Sequence, residues 1–108
     1  MTEVFILGIG MTALGKFTER SVKDLSREAV ARALADADIH QDDIEAAWFS
    51  NTRQGLLEGQ NGIRGQCALR PLGFSGIPIA NIENACASGS TALLQAIAHI
   101  KAGMCDVA

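Results

Sequence analysis

The sequence has few cysteines, and their arrangement excludes two kinds of site. Its three cysteines are Cys67, Cys86 and Cys105, and its two histidines are His40 and His99. The cysteines are odd in number and far apart, with no CxxC pair and no histidine at ligand spacing, so neither a disulfide framework nor a metal site is indicated. Unpaired thiols of this kind are typical of a reduced protein, and a cytoplasmic location is expected.

The sequence also lacks long apolar runs and concentrated charge. Its apolar runs are too short to span a bilayer, and the leading MTEVFILGIG carries Glu3 rather than a basic segment, so no signal peptide is indicated. The net charge is −3, and the nine Lys and Arg residues are scattered from Lys16 to Lys101. This scatter argues against nucleic acid and membrane surfaces as partners. The chain is 48% hydrophobic, which is enough for a core.

Strand-like and helix-like segments alternate along the chain. The strand-like segments are 3–10, 44–51, 77–84 and 105–108; the helix-like ones are 21–37, a short stretch within 62–69 stopped by Pro71, and 86–102, ended by Gly103. The order β-α-β-α-β-α-β is typical of an α/β domain with a mostly parallel sheet. Ser21 and Asp24 predict a capping box, and the helix 86–102 is apolar on most faces, which predicts that it is buried. Because the chain stops as its last strand begins, we expect residues 1–108 to be an incomplete domain.

A glycine motif near the N-terminus is only weak evidence for a dinucleotide-binding site. GIGMTA, residues 8–13, follows a strand-like segment and fits G-x-G-x-x-[GA]. A dinucleotide site would need a helix opening directly on these glycines and an acidic residue at the end of the next strand. The next helix is predicted only near Ser21 and the second strand ends in WFSN, so we interpret the glycines as a strand exit.

Cys86 differs from the other cysteines in its position. Free cysteine usually behaves as a small apolar core residue, and we interpret Cys67 and Cys105 in this way. Cys86 lies where the strand 77–84 passes into a helix, and the partial positive charge of a helix N-terminus favours the thiolate, which is the nucleophilic form. Small neighbours, Ala85 to Gly89, would let a substrate approach the sulfur. The residues therefore allow both a core thiol and a nucleophile at Cys86.

The segment NACASGSTALLQAIAHIKAGMCDVA, residues 84–108, closely resembles the nucleophile region of thiolases. The flanking EVFILGIGMTALGKF, KDLSREAVARALADADIHQDDIEAAWFSN and EGQNGIRGQCALRPLGFSGIPIANIEN resemble the same N-terminal half, most like the sterol-carrier-protein-type thiolases and acetyl-CoA acetyltransferases. The resemblance covers essentially the whole chain and is most specific over residues 84–94. It implies the N-terminal part of a thiolase-like domain, 1–108, with a buried nucleophile helix.

This resemblance implies an acyltransferase in which Cys86 takes the acyl group of an acyl-CoA, by Claisen condensation or thiolysis of a 3-ketoacyl-CoA. Coenzyme A thioester would be the substrate, no separate cofactor is implied, and a homo-oligomer, dimer or tetramer, is expected. A complete thiolase also needs a histidine, a second acid/base residue and a glycine-rich oxyanion segment from further along the chain. His40 in a polar loop and His99 far down the helix do not match these residues, and Asp42 and Asp43 are interpreted as a turn start.

Two other functions stay open at this stage. The first is a non-catalytic thiolase-like scaffold or binding subunit, against which the retained Cys86 speaks. The second is a redox-sensing cysteine protein, against which the absence of a resolving cysteine partner speaks. The residues that bind coenzyme A are not identified, and residues 1–108 alone are expected to be inactive.

Overall fold

The computed structural model describes residues 2–108. Four α-helices and two strands are formed, and their order along the chain is α1 (Val22–Ala37), β1 (Ala47–Ser50), α2 (Gln54–Glu58), α3 (Arg64–Leu69), β2 (Ile79–Ile82) and α4 (Ser88–Lys101). Two short 3-10 turns, Gln41–Asp43 and Arg70–Leu72, complete the regular structure. Helices precede, connect and follow the two parallel strands, so the predicted α/β class is confirmed.

The sheet consists of β1 and β2, which pair in parallel with Ala47 opposite Ile79 and Ser50 opposite Ile82. Parallel neighbours need a crossover connection, and here α2 and α3 supply it. Helix α3 approaches the sheet closely at Gly65, where an added Cβ would stand 2.7 Å from the Cβ of Phe49. The parallel pairing was predicted correctly, and this glycine sets the spacing between α3 and the sheet.

Helix α1 begins with the predicted capping box. The Ser21 hydroxyl accepts the Asp24 N–H at 3.1 Å, and the Asp24 carboxylate accepts the Ser21 N–H at 2.9 Å. The carboxylate of Glu58 on α2 accepts a further free donor, the Val22 N–H, at 2.8 Å. Three of the groups that a helix N-terminus leaves without partners are thus satisfied, and one of the bonds ties α2 to α1.

Residues 3–10 form no strand, and that prediction is wrong. The segment runs along α1 instead, where the Ile9 N–H donates to the Asp36 carboxylate at 2.9 Å. Gly8 permits this approach, because an added Cβ would lie 2.6 Å from the Ala33 carbonyl oxygen. With its backbone facing a helix rather than a strand, the segment leaves Phe5 and Ile6 each 72% exposed. The N-terminal region therefore lies outside the sheet.

Residues 105–108 also form no strand, contrary to prediction. The Val107 carbonyl accepts the Glu45 N–H at 2.9 Å, and the Glu45 carboxylate accepts the N–H groups of Asp106 and Val107 at 3.1 and 3.2 Å. A side chain thus takes the two donors that a strand ladder would need. The tail is held beside the start of β1 without extending the sheet.

Helix α4 is shorter and more exposed than predicted. It begins at Ser88 rather than at Cys86, and Gly103 follows its end with a φ of 74°, as expected of a C′ glycine. The prediction of a buried helix is wrong for the described residues, because Leu94 is 66% exposed and Ala92 and Ser88 are the buried members. A two-stranded sheet covers only one face of a helix, so the remaining apolar faces stay open.

The glycine-rich segment 52–76 contains more structure than the predicted loop with one short helix. The helix predicted within 62–69 is present as α3, but α2 was not foreseen. Helix α3 ends at Leu69, before Pro71 as predicted, and Pro71 lies inside the 3-10 turn that follows. Gln54, in α2, is only 1% exposed, so this small helix is part of the packed interior.

The packed interior is small. Its buried apolar residues are Ala46, Ala68, Leu69, Phe74, Ala92 and Cys105. An open cavity of about 590 Å³ is lined by the N-terminal segment, α1, α4 and the tail, and its walls are mostly apolar, including Leu34, Ile97 and Val107. The buried residues therefore lie mainly on α3 and just before β1, while Ser88 and Ala92 are buried near the start of α4.

Candidate active site

Cys86 lies on a tight turn between β2 and α4. The turn is formed by residues 83–87, and Ala87 is the residue that precedes the first residue of α4, Ser88. The Cys86 side chain is exposed, whereas Cys67 is half-buried and Cys105 is buried. The carboxyl ends of parallel strands are where α/β sheets bind ligands, and this turn leaves the sheet at that end.

Hydrogen bonds of the main chain hold the turn on both sides of Cys86. The Ala87 N–H donates to the Asn84 carbonyl at 2.9 Å, and the Ser88 N–H donates to the Ala85 carbonyl at 3.2 Å. The Glu83 carboxylate accepts the Ala85 N–H at 2.6 Å. The backbone before and after the cysteine is thereby fixed.

Ala85 adopts a left-handed backbone conformation, with a φ of 48°. L-residues other than glycine rarely occupy this region, since Cβ approaches the following carbonyl oxygen at a cost of about 1–2 kcal/mol. Strain of this kind persists only where the surroundings enforce it, and it is frequent next to reactive residues. Here it turns the chain so that the next residue, Cys86, projects from the surface.

The Ser88 hydroxyl occupies the inside of the turn. It accepts the Asn84 N–H at 2.7 Å and donates to the Ala85 carbonyl at 2.7 Å. Thr52, which follows β1, places its hydroxyl 3.2 Å from that of Ser88 and 3.2 Å from the Ala85 carbonyl. Both strands of the sheet therefore reach the turn that carries Cys86, β2 through the chain and β1 through Thr52.

Two backbone donors near the thiol are free. Among residues 2–108, neither the Cys86 N–H nor the Gly89 N–H has a hydrogen-bond partner. Gly89 is exposed, and an added Cβ there would meet only the Ser50 hydroxyl at 4.0 Å. Free N–H groups at a helix N-terminus attract negative charge. The arrangement is suited to an oxygen that becomes negative beside the sulfur.

A polar cavity of about 230 Å³ lies at the same end of the sheet. Its polar lining residues are Asn51, Asn61, Arg64, Asn81 and Glu83. Most of these groups already have partners within the chain: the guanidinium of Arg64 donates to the carbonyls of Gln60 and Asn51, and the Asn81 carboxamide oxygen accepts the Gly65 N–H at 2.6 Å. The hydrogen bonds of these lining residues therefore join α3 to the ends of the strands.

Neither histidine reaches Cys86. His40 lies before the turn Gln41–Asp43 with its side chain 71% exposed and bonded to Asp42, which confirms the predictions of a solvated loop histidine and an acidic turn start. His99 packs edge to face on Trp48 with 5.0 Å between ring centroids. It stands about 20 Å along the helix direction from Cys86, at 1.5 Å per residue. Neither histidine is therefore placed to take the thiol proton.

The remaining sequence-based assignments concern Cys67, Cys105 and the glycine motif. Burial raises the pKa of the Cys105 thiol, and the nearby carboxylates of Glu45 and Asp106 raise it further, which agrees with its interpretation as a core residue. Cys67 lies in α3, as predicted. No helix opens on residues 8–13, because the first helix begins at Val22. Sequence reasoning missed Thr52 and Ser88, although a small polar residue just after a strand or at a helix start is a general signal for such bonds.

The family model of the thiolase N-terminal domain matches residues 4–108. The chain belongs to the thiolase family. The predicted resemblance is thereby confirmed, and Cys86 with its turn lies inside the matched thiolase region.

Proteins similar to this chain carry two kinds of name. An acetyl-CoA acetyltransferase of Methanocaldococcus jannaschii is 39% identical over 107 residues, which are 99% of this chain and 27% of the relative. Sterol carrier protein 2 of Bos taurus is 40% identical over 108 residues, which are 95% of this chain and 18% of the relative. Sterol carrier protein 2 of Gallus gallus is 39% identical over 105 residues. The chain thus spans less than a third of these thiolase-family relatives.

A solved structure supports the fold. The 3-oxoacyl-[acyl-carrier-protein] synthase III of Aquifex aeolicus superposes with a TM-score of 0.55 at 19% identity, over 80% of this chain and 27% of that structure. In the part of the chain that the structure describes, no helix has the length and apolarity needed to cross a membrane. Across residues 2–108, no three His, Cys, Asp or Glu side chains gather closely enough to hold a metal ion.

Proposed function

We propose that this chain is the nucleophile-bearing part of a thiolase-type acyltransferase and that Cys86 forms the acyl-enzyme. The observation that carries the proposal is the exposed Cys86 thiol on a turn braced from both strands, directly before α4. Family membership and the relatives named acetyl-CoA acetyltransferase support the same chemistry. Acyl-CoA is the proposed substrate, and no further cofactor is required.

In the proposed reaction, the Cys86 sulfur attacks the carbonyl carbon of the acyl-CoA thioester. A new C–S bond forms, the bond to the coenzyme A sulfur breaks, and coenzyme A leaves as the thiol once a proton reaches it. In condensation, the α-carbon of a second acyl-CoA, after losing a proton, attacks the acyl-enzyme carbonyl and the Cys86 thiolate leaves. In thiolysis, the Cys86 sulfur instead attacks the 3-keto carbon of a 3-ketoacyl-CoA, and the bond between C2 and C3 breaks to release acetyl-CoA once C2 takes a proton. Coenzyme A thiol then attacks the acyl-enzyme and releases the shortened acyl-CoA. The free N–H groups of Cys86 and Gly89 are candidates to stabilise the oxyanion of each tetrahedral intermediate.

The two histidines of this chain do not supply the proton transfers of the proposed reaction. His40 is bonded to Asp42 at the surface and His99 is stacked on Trp48, so neither is available as a base for Cys86. In the proposed enzyme, residues of other segments or chains supply the general acid and base. An oligomeric, cytoplasmic enzyme is proposed on the same basis as the family assignment.

The same observation favours a second function, a thiolase-like subunit that binds without performing catalysis. Its basis is that neither histidine of the chain reaches the exposed thiol, and that some relatives are named sterol carrier protein 2. In this alternative Cys86 would keep its position on the turn but would not become acylated. Acylation of Cys86 therefore separates the two functions.

The test is acylation of the protein as its gene encodes it. After brief incubation with acetyl-CoA and acid quenching, peptide mass spectrometry should find an acetyl group on Cys86 and none on Cys67 or Cys105. The Cys86→Ser variant should show no acetylated peptide from this segment. A wild-type protein that remains unmodified while it binds acetyl-CoA would point to the non-catalytic subunit.

A further inference from the structure

We infer that the hydroxyl groups of Thr52 and Ser88 are positioning groups that fix the orientation of Cys86, an inference that rests on the proposed function for its catalytic consequence. These two side chains, named here the hydroxyl pair, come from different parts of the chain, 36 residues apart, and meet at 3.2 Å. Neither is needed as a nucleophile or base in the reaction above. Their common neighbour is the main chain at Ala85.

The hydrogen-bonding capacity of the Ser88 hydroxyl is fully used. A serine hydroxyl has one donor and two acceptor positions. Its proton goes to the Ala85 carbonyl, one lone pair accepts the Asn84 N–H, and the second faces the Thr52 hydroxyl. Ser88 is only 6% exposed, so these bonds are shielded from competing water. A buried and saturated hydroxyl fixes its neighbours more firmly than an exposed one.

The hydroxyl pair contacts Ala85, the residue with the strained backbone. Ala85 keeps its φ of 48° although this conformation is unfavourable for alanine, and its carbonyl accepts from Ser88 at 2.7 Å and contacts Thr52 at 3.2 Å. If these bonds are removed, the Ala85 peptide can relax toward the ordinary right-handed or extended regions. The next side chain in the sequence, Cys86, then changes direction.

The consequence for catalysis is geometric. An attacking atom must be within about 3–3.5 Å of its target in the right direction, and a displacement of about 1 Å can cost about 10²-fold in rate. Alkylation by a small reagent free in solution needs only an accessible thiolate and tolerates such a change. Loss of the hydroxyl pair should therefore slow acyl transfer to Cys86 much more than its alkylation.

The experiment compares Thr52→Val, which removes the hydroxyl and keeps the shape, with Thr52→Ser, which keeps the hydroxyl. Each variant, in the protein as its gene encodes it, is assayed for single-turnover acetylation of Cys86 by acetyl-CoA and for its alkylation by iodoacetamide. We expect Thr52→Val to lose about tenfold or more in acetylation and less than about twofold in alkylation, and Thr52→Ser to stay near wild type. Ser88→Ala should behave like Thr52→Val.

Ser90→Ala is the matched control, because the Ser90 hydroxyl bonds the Ala87 carbonyl at 3.2 Å in the same helical turn and contacts neither Thr52 nor Ala85. It should leave both rates unchanged. Wild-type acetylation in Thr52→Val, or equal losses of acetylation and alkylation, would overturn the inference. So would failure of Thr52→Ser to retain activity.

Amide hydrogen exchange tests the orienting bonds independently of whether Cys86 is acetylated. The Asn84 amide donates to Ser88, so its exchange should be faster in Ser88→Ala and Thr52→Val than in the wild type. If wild-type Cys86 is not acetylated but the amide exchange rises as stated, the proposed reaction fails and the orienting bonds stand. Unchanged exchange in both variants would refute the orienting bonds, whatever the acetylation result.

Discussion

At the residue scale, the three cysteines differ in exposure and surroundings. Cys86 is exposed, Cys67 is half-buried and Cys105 is buried, with the pKa of the Cys105 thiol raised by burial and by the carboxylates of Glu45 and Asp106. Since the thiolate is the reactive form, both access and charge disfavour reaction at Cys105.

We predict that iodoacetamide modifies Cys86 first, Cys67 more slowly and Cys105 last at neutral pH. Time-resolved labelling with mass-spectrometric peptide mapping measures the three rates in one sample. Labelling in denaturant is the control, since the three thiols should then react at similar rates. Modification of Cys86 at the same rate as Cys105, or more slowly, in the native protein would contradict the nucleophile assignment.

Substitution of Gly89 by alanine is expected to lower activity without lowering stability. The φ of Gly89 is not in the left-handed region and an added Cβ would meet only the Ser50 hydroxyl at 4.0 Å, so alanine fits in the folded chain. Gly89→Ala should leave stability unchanged or raise it by up to about 1 kcal/mol, because alanine favours the helix. The added methyl group stands beside the free Gly89 N–H, so acyl transfer to Cys86 should fall by about tenfold.

Urea denaturation and the acetylation assay together test this prediction. A variant that keeps wild-type acetylation would show that the space beside Gly89 is not used by the substrate. Gly103→Ala is a useful contrast, because Gly103 has a φ of 74° and substitution there should destabilise the end of α4 without acting near Cys86.

At the element scale, the start of α1 links stability to pH. Hydrogen bonds from the Ser21 N–H and hydroxyl hold the pKa of the Asp24 carboxyl below its ordinary value of 3.8, with Arg27 and Arg20 contributing. A lowered pKa in the folded state means that the stabilisation is fully present above pH 3.8 and is lost as pH falls below it through the lowered pKa.

We predict that Ser21→Ala destabilises the protein by about 1 kcal/mol at neutral pH, the usual cost of losing an N-cap. Asp24→Asn should also lower stability at neutral pH, and its difference from wild type should shrink as the pH falls below 3.8. Chemical denaturation of both proteins at neutral pH and below pH 3.8 measures the difference in their free energies of unfolding. A difference that persists unchanged in acid would mean that the Asp24 charge does not contribute to the cap.

At the scale of the whole molecule, large apolar surfaces remain open. Phe5, Ile6 and Leu94 are among the exposed large apolar residues, and a cavity of about 590 Å³ lies between the N-terminal segment and α4. Exposed apolar patches are typical of surfaces that pack against further protein. The exposed apolar residues of the N-terminal segment and of α4 thus form a surface suited to contact with further protein.

We predict that a protein consisting only of residues 1–108 has no measurable thiolysis activity toward a 3-ketoacyl-CoA, because neither histidine is placed to activate Cys86. A positioned acid or base commonly contributes about 10²–10⁴-fold. The control is the same protein with Cys86→Ala. Turnover that disappears in this variant would show that the residues described here already hold a complete site.

The sequence by itself determined the features that depend on neighbouring residues. The capping box at Ser21, the extent of α1, the parallel α/β alternation and the C′ role of Gly103 follow from local hydrogen bonding and periodicity, and all are present. Cys86 was likewise singled out by its place between a strand and a helix and by the local resemblance. Its exposure on a turn agrees with that choice.

Tertiary structure decided what depends on distant partners. Residues 3–10 have a strand-like composition but lie on α1, because Gly8 lets the backbones approach and Asp36 takes the Ile9 N–H. The meeting of Thr52 with Ser88 arises only when β1 and β2 pair, since 36 residues separate them. Hydrophobic pattern constrains which residues are apolar, but pairing of groups far apart in the chain depends on the packed geometry, and no local signal specifies it.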